Sequence, residues 1–327
     1  MVLWLPLYTG FTVREHSSIV FRAHEDTMFK EIILHSTCSR ALCEIMTGVI
    51  SRSPPTVTHV IPGENGVTAV TSLDDHVCDV YAVRQHRKEV EVYDAVALTL
   101  ESRLPIPGLR FSANGIAACS RNKCLYLSDW KNPRIHRVDL ATVAMKTWRV
   151  GEKPKGLSVN EDHNVLVACA ADKKLQEYTT DGRLVREISL PAGLGLPRHA
   201  IQLSTGDYVV SHLQSPGVVS VVGVDGRLLR SYGPSSSSDI GPMKHTKNLA
   251  VTKHGDILVA DEINHRILAI NFSISRVQVF PFPDDARLRS PCALYLDNTR
   301  DLLYVGEISG KHRVIVLNNA SCISWQI

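Results

Sequence analysis

A phrase that recurs six times constrains this chain more than any other feature. A small residue opens a short apolar strand, a polar turn follows, then a more strongly apolar strand, then an acidic or polar loop. The openings read Gly66-Val-Thr-Ala-Val, Gly115-Ile-Ala-Ala, Gly156-Leu-Ser-Val, Ala200-Ile-Gln-Leu, Asn248-Leu-Ala-Val and Ala293-Leu-Tyr-Leu, spaced 41 to 49 positions apart. Such a period suits one four-stranded unit per repeat. Second strands follow at a constant offset, among them Cys124-Leu-Tyr-Leu-Ser-Asp129, Ile257-Leu-Val-Ala-Asp261 and Leu302-Leu-Tyr-Val-Gly-Glu307. Third strands such as Ile267-Leu-Ala-Ile and Val314-Ile-Val-Leu come next. Asp181-Gly182 and Asp225-Gly226 add tight hairpin turns in the same register, since Asp-Gly favours the positive φ angles of a type I′ turn.

Helices do not fit this pattern. The apolar runs are short, rich in β-branched residues, and punctuated by Gly, Asn, Asp and Pro. An open stack of sheets would leave exposed edges, and closing them into a ring removes these. The sequence therefore predicts an all-β, six-bladed β-propeller with four-stranded antiparallel blades over residues 56–320. The last repeat holds only three strands, whereas residues 56–61 form a strand with no blade of their own. That strand is expected to complete the last blade and close the ring. Residues 1–50 fall outside the repeat and read as an extension, with an amphipathic helix over 25–50 built on Met28, Ile32, Leu42, Ile45, Met46 and Val49. Residues 51–55 read as a linker and 321–327 as a tail.

At 327 residues, 44% hydrophobic, the chain has ample material for a core. The 8 cysteines lie in apolar runs or lack the second Cys/His pair of a zinc pattern, so a reducing compartment and no structural metal are expected. No run is long enough for a membrane helix, and the apolar start lacks the leading basic residue of a secretory signal. The expected setting is cytoplasmic.

The stretch Asn248-Leu-Ala-Val-Thr-Lys-His-Gly-Asp-Ile-Leu-Val-Ala-Asp-Glu-Ile-Asn-His-Arg-Ile267 resembles an NHL repeat, and residues 115–137 are a looser match through Ser128-Asp129 and Asn132-Pro-Arg-Ile135. The resemblance implies a propeller like those that end the tripartite-motif (TRIM-NHL) ubiquitin ligases, where it binds RNA or protein and catalyses nothing. No RING or B-box array of cysteines and histidines occurs in this sequence, so ligase chemistry is not carried over. Substrate recognition is the role left.

Blade topology assigns charges to faces. The loops that enter first strands and those that join second to third strands share one rim, the top. It collects Arg84, His86, Arg87, Lys88, Trp130, Lys131, Lys153, Lys155, Lys173, Lys174, Arg198, His199, Lys244, His245, Lys247, His265, Arg266, Arg289, Lys311 and His312. The bottom is acidic, with Asp74, Asp75, Glu161, Asp162, Asp181, Asp225, Asp297 and Asp301. The net charge of +3 thus conceals a polarised molecule. A basic rim with an aromatic plane suits phosphates and unpaired bases, so a protein or single-stranded RNA is the expected partner, with no cofactor and no small-molecule substrate. The alternative is an enzyme. It would use Asp129, Asp261 and Glu307 around a channel calcium, or His199 and His245 as zinc ligands. Each carboxylate is read more simply as a loop-pinning acceptor.

Overall fold

A computed structural model describes residues 53–73, 79–109, 113–233, 240–321, 323 and 325 in full, and residues 2–5, 8–14, 18–25 and 28–35 as backbone course alone. The chain divides into two compact units, Met1–Ser53 and Pro54–Ile327.

In the first unit, Val2–Leu5, Tyr8–Arg14, Ser18–Glu25 and Met28–His35 pair in order as an antiparallel sheet. The helix expected over 25–50 is therefore replaced by a strand at Met28–His35. Its Phe-Lys-Glu-Ile-Ile stretch carries aromatic and β-branched residues that favour a pleated surface. Leu42, Ile45, Met46 and Val49 lie outside the described residues.

The second unit is the expected ring. Blade one comprises Val67–Ser72, Val80–Arg84, Glu89–Tyr93 and Leu100–Pro105. Blade two comprises Ile116–Cys119, Cys124–Asp129, Arg134–Asp139 and Met145–Arg149. Blade three comprises Pro154–Val159, Val165–Cys169, Lys174–Tyr178 and Leu184–Ser189. Blade four comprises Leu196–Gln202, Tyr208–Leu213, Val218–Val222 and Leu228–Tyr232. Blade five comprises Thr246–Val251, Ile257–Asp261, Arg266–Ile270 and Val277–Val279. Blade six takes Pro291–Asp297, Leu302–Glu307 and Val314–Asn318, and its outermost strand is Thr56–Ile61. Blades one to five are meanders in chain order, and in blade six Val314 pairs with Ile61 and Asn318 with Thr56 to close the ring. The Thr56 hydroxyl and backbone N–H both donate to Asn318 Oδ1, at 2.6 and 3.1 Å.

Burial follows from this stacking. A strand such as Val165–Cys169 or Ile257–Asp261 is buried along its whole length, because both faces of its sheet meet a neighbouring blade. Six apolar clusters fill the six gaps between adjacent blades, including the gap between blades six and one. Each fully buried large side chain, such as Leu125, Ile257 or Leu303, contributes about 1.5–3 kcal/mol. Outer strands such as Leu100–Pro105 stay exposed. Among the described residues no helix is long and apolar enough to cross a membrane. Cys119, Cys124, Cys169 and Cys292 are free and buried.

First strands line a central cavity of about 360 Å³, to which all six blades contribute, for example Val70, Ala117, Leu157, Ile201, Ala250 and Leu296. These strands approach closely. A Cβ on Gly115 would stand 2.6 Å from the Lys155 carbonyl oxygen, and one on Gly156 would stand 2.8 Å from that of Arg198. Neither glycine has a positive φ, so close approach of backbones explains them.

Candidate binding site at the upper channel mouth

Strand register places three cations at one height. In five of the six blades a residue at or next to the end of the second strand faces a first-strand residue: Cys169 opposite Pro154, His212 opposite Pro197, Asp261 opposite Thr246, Glu307 opposite Pro291 and Arg84 opposite Val67. The residue after each of these, within an irregularity of the first strand, is Lys155, Arg198, Lys247, Cys292 and Thr68. Blades three, four and five thus present a lysine, an arginine and a lysine at equivalent positions of consecutive strands.

These groups feel one another. Burial, and then the charges of Arg198, Lys247 and Lys153, hold the half-buried Lys155 amine down at about 8. Burial pushes up the Cys292 thiol, which also feels the charges of Lys247, Arg198 and Glu262. Lys247 pairs with Glu262 at 3.0 Å, and His245 Nδ1 meets the same carboxylate oxygen at 3.1 Å. Among the described residues no carboxylate pairs with Lys155 or Arg198. Trp130 borders the group, with the Lys131 and Lys155 amines 4.4 and 4.7 Å from its ring centroid.

Hydroxyls fix this register across blades. Ser128 donates to the Lys155 carbonyl at 2.7 Å, and Ser211, at the equivalent place two blades on, donates to that of Lys247 at 2.6 Å. Beneath, His199 accepts the Leu249 N–H at Nδ1 and donates from Nε2 to the Leu157 carbonyl.

Several expected rim residues are structural. Arg84 is buried: it pairs with Glu91 and donates to the carbonyls of Pro62, Asn65 and His312, because its guanidinium has enough donors to tie blade one to blade six. Both ring nitrogens of His199 are taken, by the Leu249 N–H and the Leu157 carbonyl, and burial holds the imidazole down at about 4, so it acts as a neutral strut between first strands rather than a rim contact or a zinc ligand. Lys247 is buried against Glu262. Arg266 binds Asp261 at 2.8 Å and the carbonyls of Ile240, Gly241 and Pro242. Lys174 pairs with Glu187 at 2.6 Å, and Lys173 donates to the carbonyls of Ala192 and Leu194. Arg87 meets Glu64 at 3.4 Å in an exposed pair.

The rim histidines have a backbone reason. His86, His245, His265 and His312 all adopt positive φ, between 52° and 62°, in turns where histidine is among the residues that tolerate it. His265 also accepts the Ser290 N–H at 3.0 Å. Lys88, Lys131, Lys153, Lys244, Arg289 and Lys311 remain exposed around the mouth. Asp74 and Asp75 lie outside the described residues.

The carboxylates of the enzyme alternative pin loops. Asp129 accepts from the backbone N–H groups of Lys131 and Asn132. Asp261 accepts from Lys244 N–H at 2.6 Å and from the Asn264 and Arg266 side chains at 2.8 Å. Glu307 accepts from Arg289 N–H at 2.8 Å and pairs with Arg313 at 2.9 Å. Among the described residues no three His, Cys, Asp or Glu side chains are grouped to hold a metal ion. Sequence reasoning missed the roles of Glu262 and Cys292. The signal was present, since Cys292 precedes its repeat opening as Lys247 precedes Asn248.

No protein-family model matches the chain. No curated protein matches it either. Solved structures share the fold. Virginiamycin B lyase from Staphylococcus aureus aligns with TM-score 0.59 at 11% identity, covering 81% of this chain and 99% of that one. Kuenenia stuttgartiensis hydrazine synthase aligns with TM-score 0.59 at 19% identity, covering 83% and 80%. The WD40 propeller domain of Doa1 aligns with TM-score 0.56 at 14% identity, covering 84% and 100%. The likeness is to a propeller scaffold that occurs in lyases and in a WD40 domain alike.

Proposed function

We propose that this chain is a non-catalytic binding module that holds an acidic segment of a protein partner at the upper mouth of the propeller channel. The observation that carries this reading is Lys155 and Arg198, with no carboxylate paired to either among the described residues, at one register with Lys247, whose charge Glu262 already takes. Half-burial strengthens a charge-assisted hydrogen bond to a carboxylate, and an arginine fork can take one bidentately. Loops on a rigid ring are a usual place for recognition.

A protein partner is favoured over single-stranded RNA for two reasons. The Trp130 ring already has two amines close to it, so a stacking base would have to displace one. Arg84, Arg266, Lys173 and Lys174 are consumed internally, which interrupts the cationic track that a polyphosphate backbone needs. The NHL-type reading is supported by Asp261 and Asp129, which pin their loops as the motif's aspartate position implies. On that reading the module serves substrate recognition in a ubiquitin-ligase system in the cytoplasm.

Fluorescence anisotropy of the full chain with a labelled glutamate-rich peptide, and separately with a labelled random single-stranded RNA pool, tests this. The expected result is salt-sensitive peptide binding that weakens about tenfold or more in Lys155→Ala/Arg198→Ala, since each charged hydrogen bond contributes about 1.5–3 kcal/mol. Binding of RNA without binding of peptide contradicts it.

A further inference from the structure

The opposite end of the channel holds two cysteines that the binding site does not use. Cys119 closes the first strand of blade two, Cys124 opens the second, and the two are directly opposed in the antiparallel register. Opposed residues project to the same face with Cα atoms about 4.5 or 5.5 Å apart, and both spacings fall within the range of a disulfide. Asn122, in the turn between them, donates from Nδ2 to Cys119 Sγ at 3.3 Å. Cys119 lines the lower part of the channel cavity together with Ser120, Arg121 and His163.

We propose that Cys119 and Cys124 form a thiol pair at the lower channel mouth that a small hydroperoxide converts reversibly into a disulfide. The Cys119 thiolate attacks the peroxide O–O bond, becomes a sulfenic acid, and releases an alcohol or water. The Cys124 thiol then attacks the Cys119 sulfur, the S–S bond forms, the S–O bond breaks and water leaves. The two sulfurs together lose two electrons to the peroxide, and a low-molecular-weight thiol restores both by exchange.

The surroundings assign the order of events. The neighbouring Cys124 thiol, and then Asn122 and His163, hold Cys119 toward its thiolate against the opposing effect of burial. Cys124 is kept protonated by its bond to Cys119 and by burial, although Arg137 and Tyr126 act in the other direction. Cys169, in the same apolar cluster, is pushed up to about 12 by burial, and burial raises Cys292 as well. Those two serve as internal controls, because the thiolate is the reacting species.

The test treats the full chain with graded hydrogen peroxide, blocks remaining thiols by alkylation, and maps the peptides by mass spectrometry. The expected result is a Cys119–Cys124 cross-link, reversed by dithiothreitol. Cys119 should react at least about tenfold faster than Cys169 or Cys292. In Cys124→Ser, a sulfenic-acid trap should label Cys119. Should that variant fail to fold, the cross-link in the unmodified chain decides alone. The idea is overturned if Cys119 and Cys124 stay alkylatable when the chain is oxidised elsewhere, if Cys119, Cys124, Cys169 and Cys292 oxidise alike, or if the trap labels Cys124 first in Cys119→Ser.

Discussion

Leu249 donates its backbone N–H to Nδ1 of His199 at 3.1 Å, and the same imidazole donates from Nε2 to the Leu157 carbonyl at 3.0 Å. One side chain thereby joins the first strands of blades three, four and five directly beneath the cationic mouth. It does so only as the neutral tautomer, since a protonated ring would turn a donor toward the Leu249 N–H.

That neutrality has a pH consequence. His199 and His212 are both held at about 4 in the folded chain, burial being the main cause, against about 6.5 when unfolded. Below 6.5 the unfolded chain takes up protons that the folded chain refuses. Stability is therefore full above about 6.5 and falls as the pH drops toward 4, by up to about 3 kcal/mol for each histidine. Urea unfolding across this range should show the fall, and His199→Gln should lose part of the slope.

Glycines where first strands approach should be intolerant of a methyl group. Gly115→Ala and Gly156→Ala put Cβ against the backbone of the next blade, so a loss of about 1–3 kcal/mol or more is expected. Gly193, with nothing within 4 Å of an added Cβ, should accept alanine with little change. Thermal unfolding of the three variants makes the comparison.

Two rim arginines should separate sharply. Arg84→Ala strands the buried Glu91 and three carbonyls, which is expected to cost about 3–5 kcal/mol. Arg87→Ala breaks only the exposed pair with Glu64 and should change stability by less than about 1 kcal/mol. Denaturant midpoints would show the two classes.

Ring closure predicts where the chain can be shortened. A chain starting at Pro54 keeps the outermost strand of blade six, whereas one starting at Gly63 leaves Val314–Asn318 with an unpaired edge. The shorter chain should unfold at lower temperature and aggregate, as exposed edges do. Scattering and thermal melts report both effects.

The blades were legible because Gly turns, β-branched runs and Asp-Gly hairpins keep one period, and that period requires a closed ring. The free cations were less legible. Arg84 and Arg266 spend their charge on carbonyls of loops that the fold brings beside them, and no local pattern displays those partners. The equivalence of Lys155, Arg198 and Lys247 was hidden by one residue, because blade four opens in register at His199 and not at Ala200. The strand Met28–His35 was missed because its apolar residues do not alternate cleanly.

Competitive acylation of Lys155, followed by peptide mass spectrometry across pH, reads the central group itself. With half-burial and then the neighbouring cations acting on it, the amine should titrate near 8, and a bound glutamate-rich peptide should move that midpoint upward. A midpoint at the ordinary lysine value, unmoved by the peptide, would contradict the account.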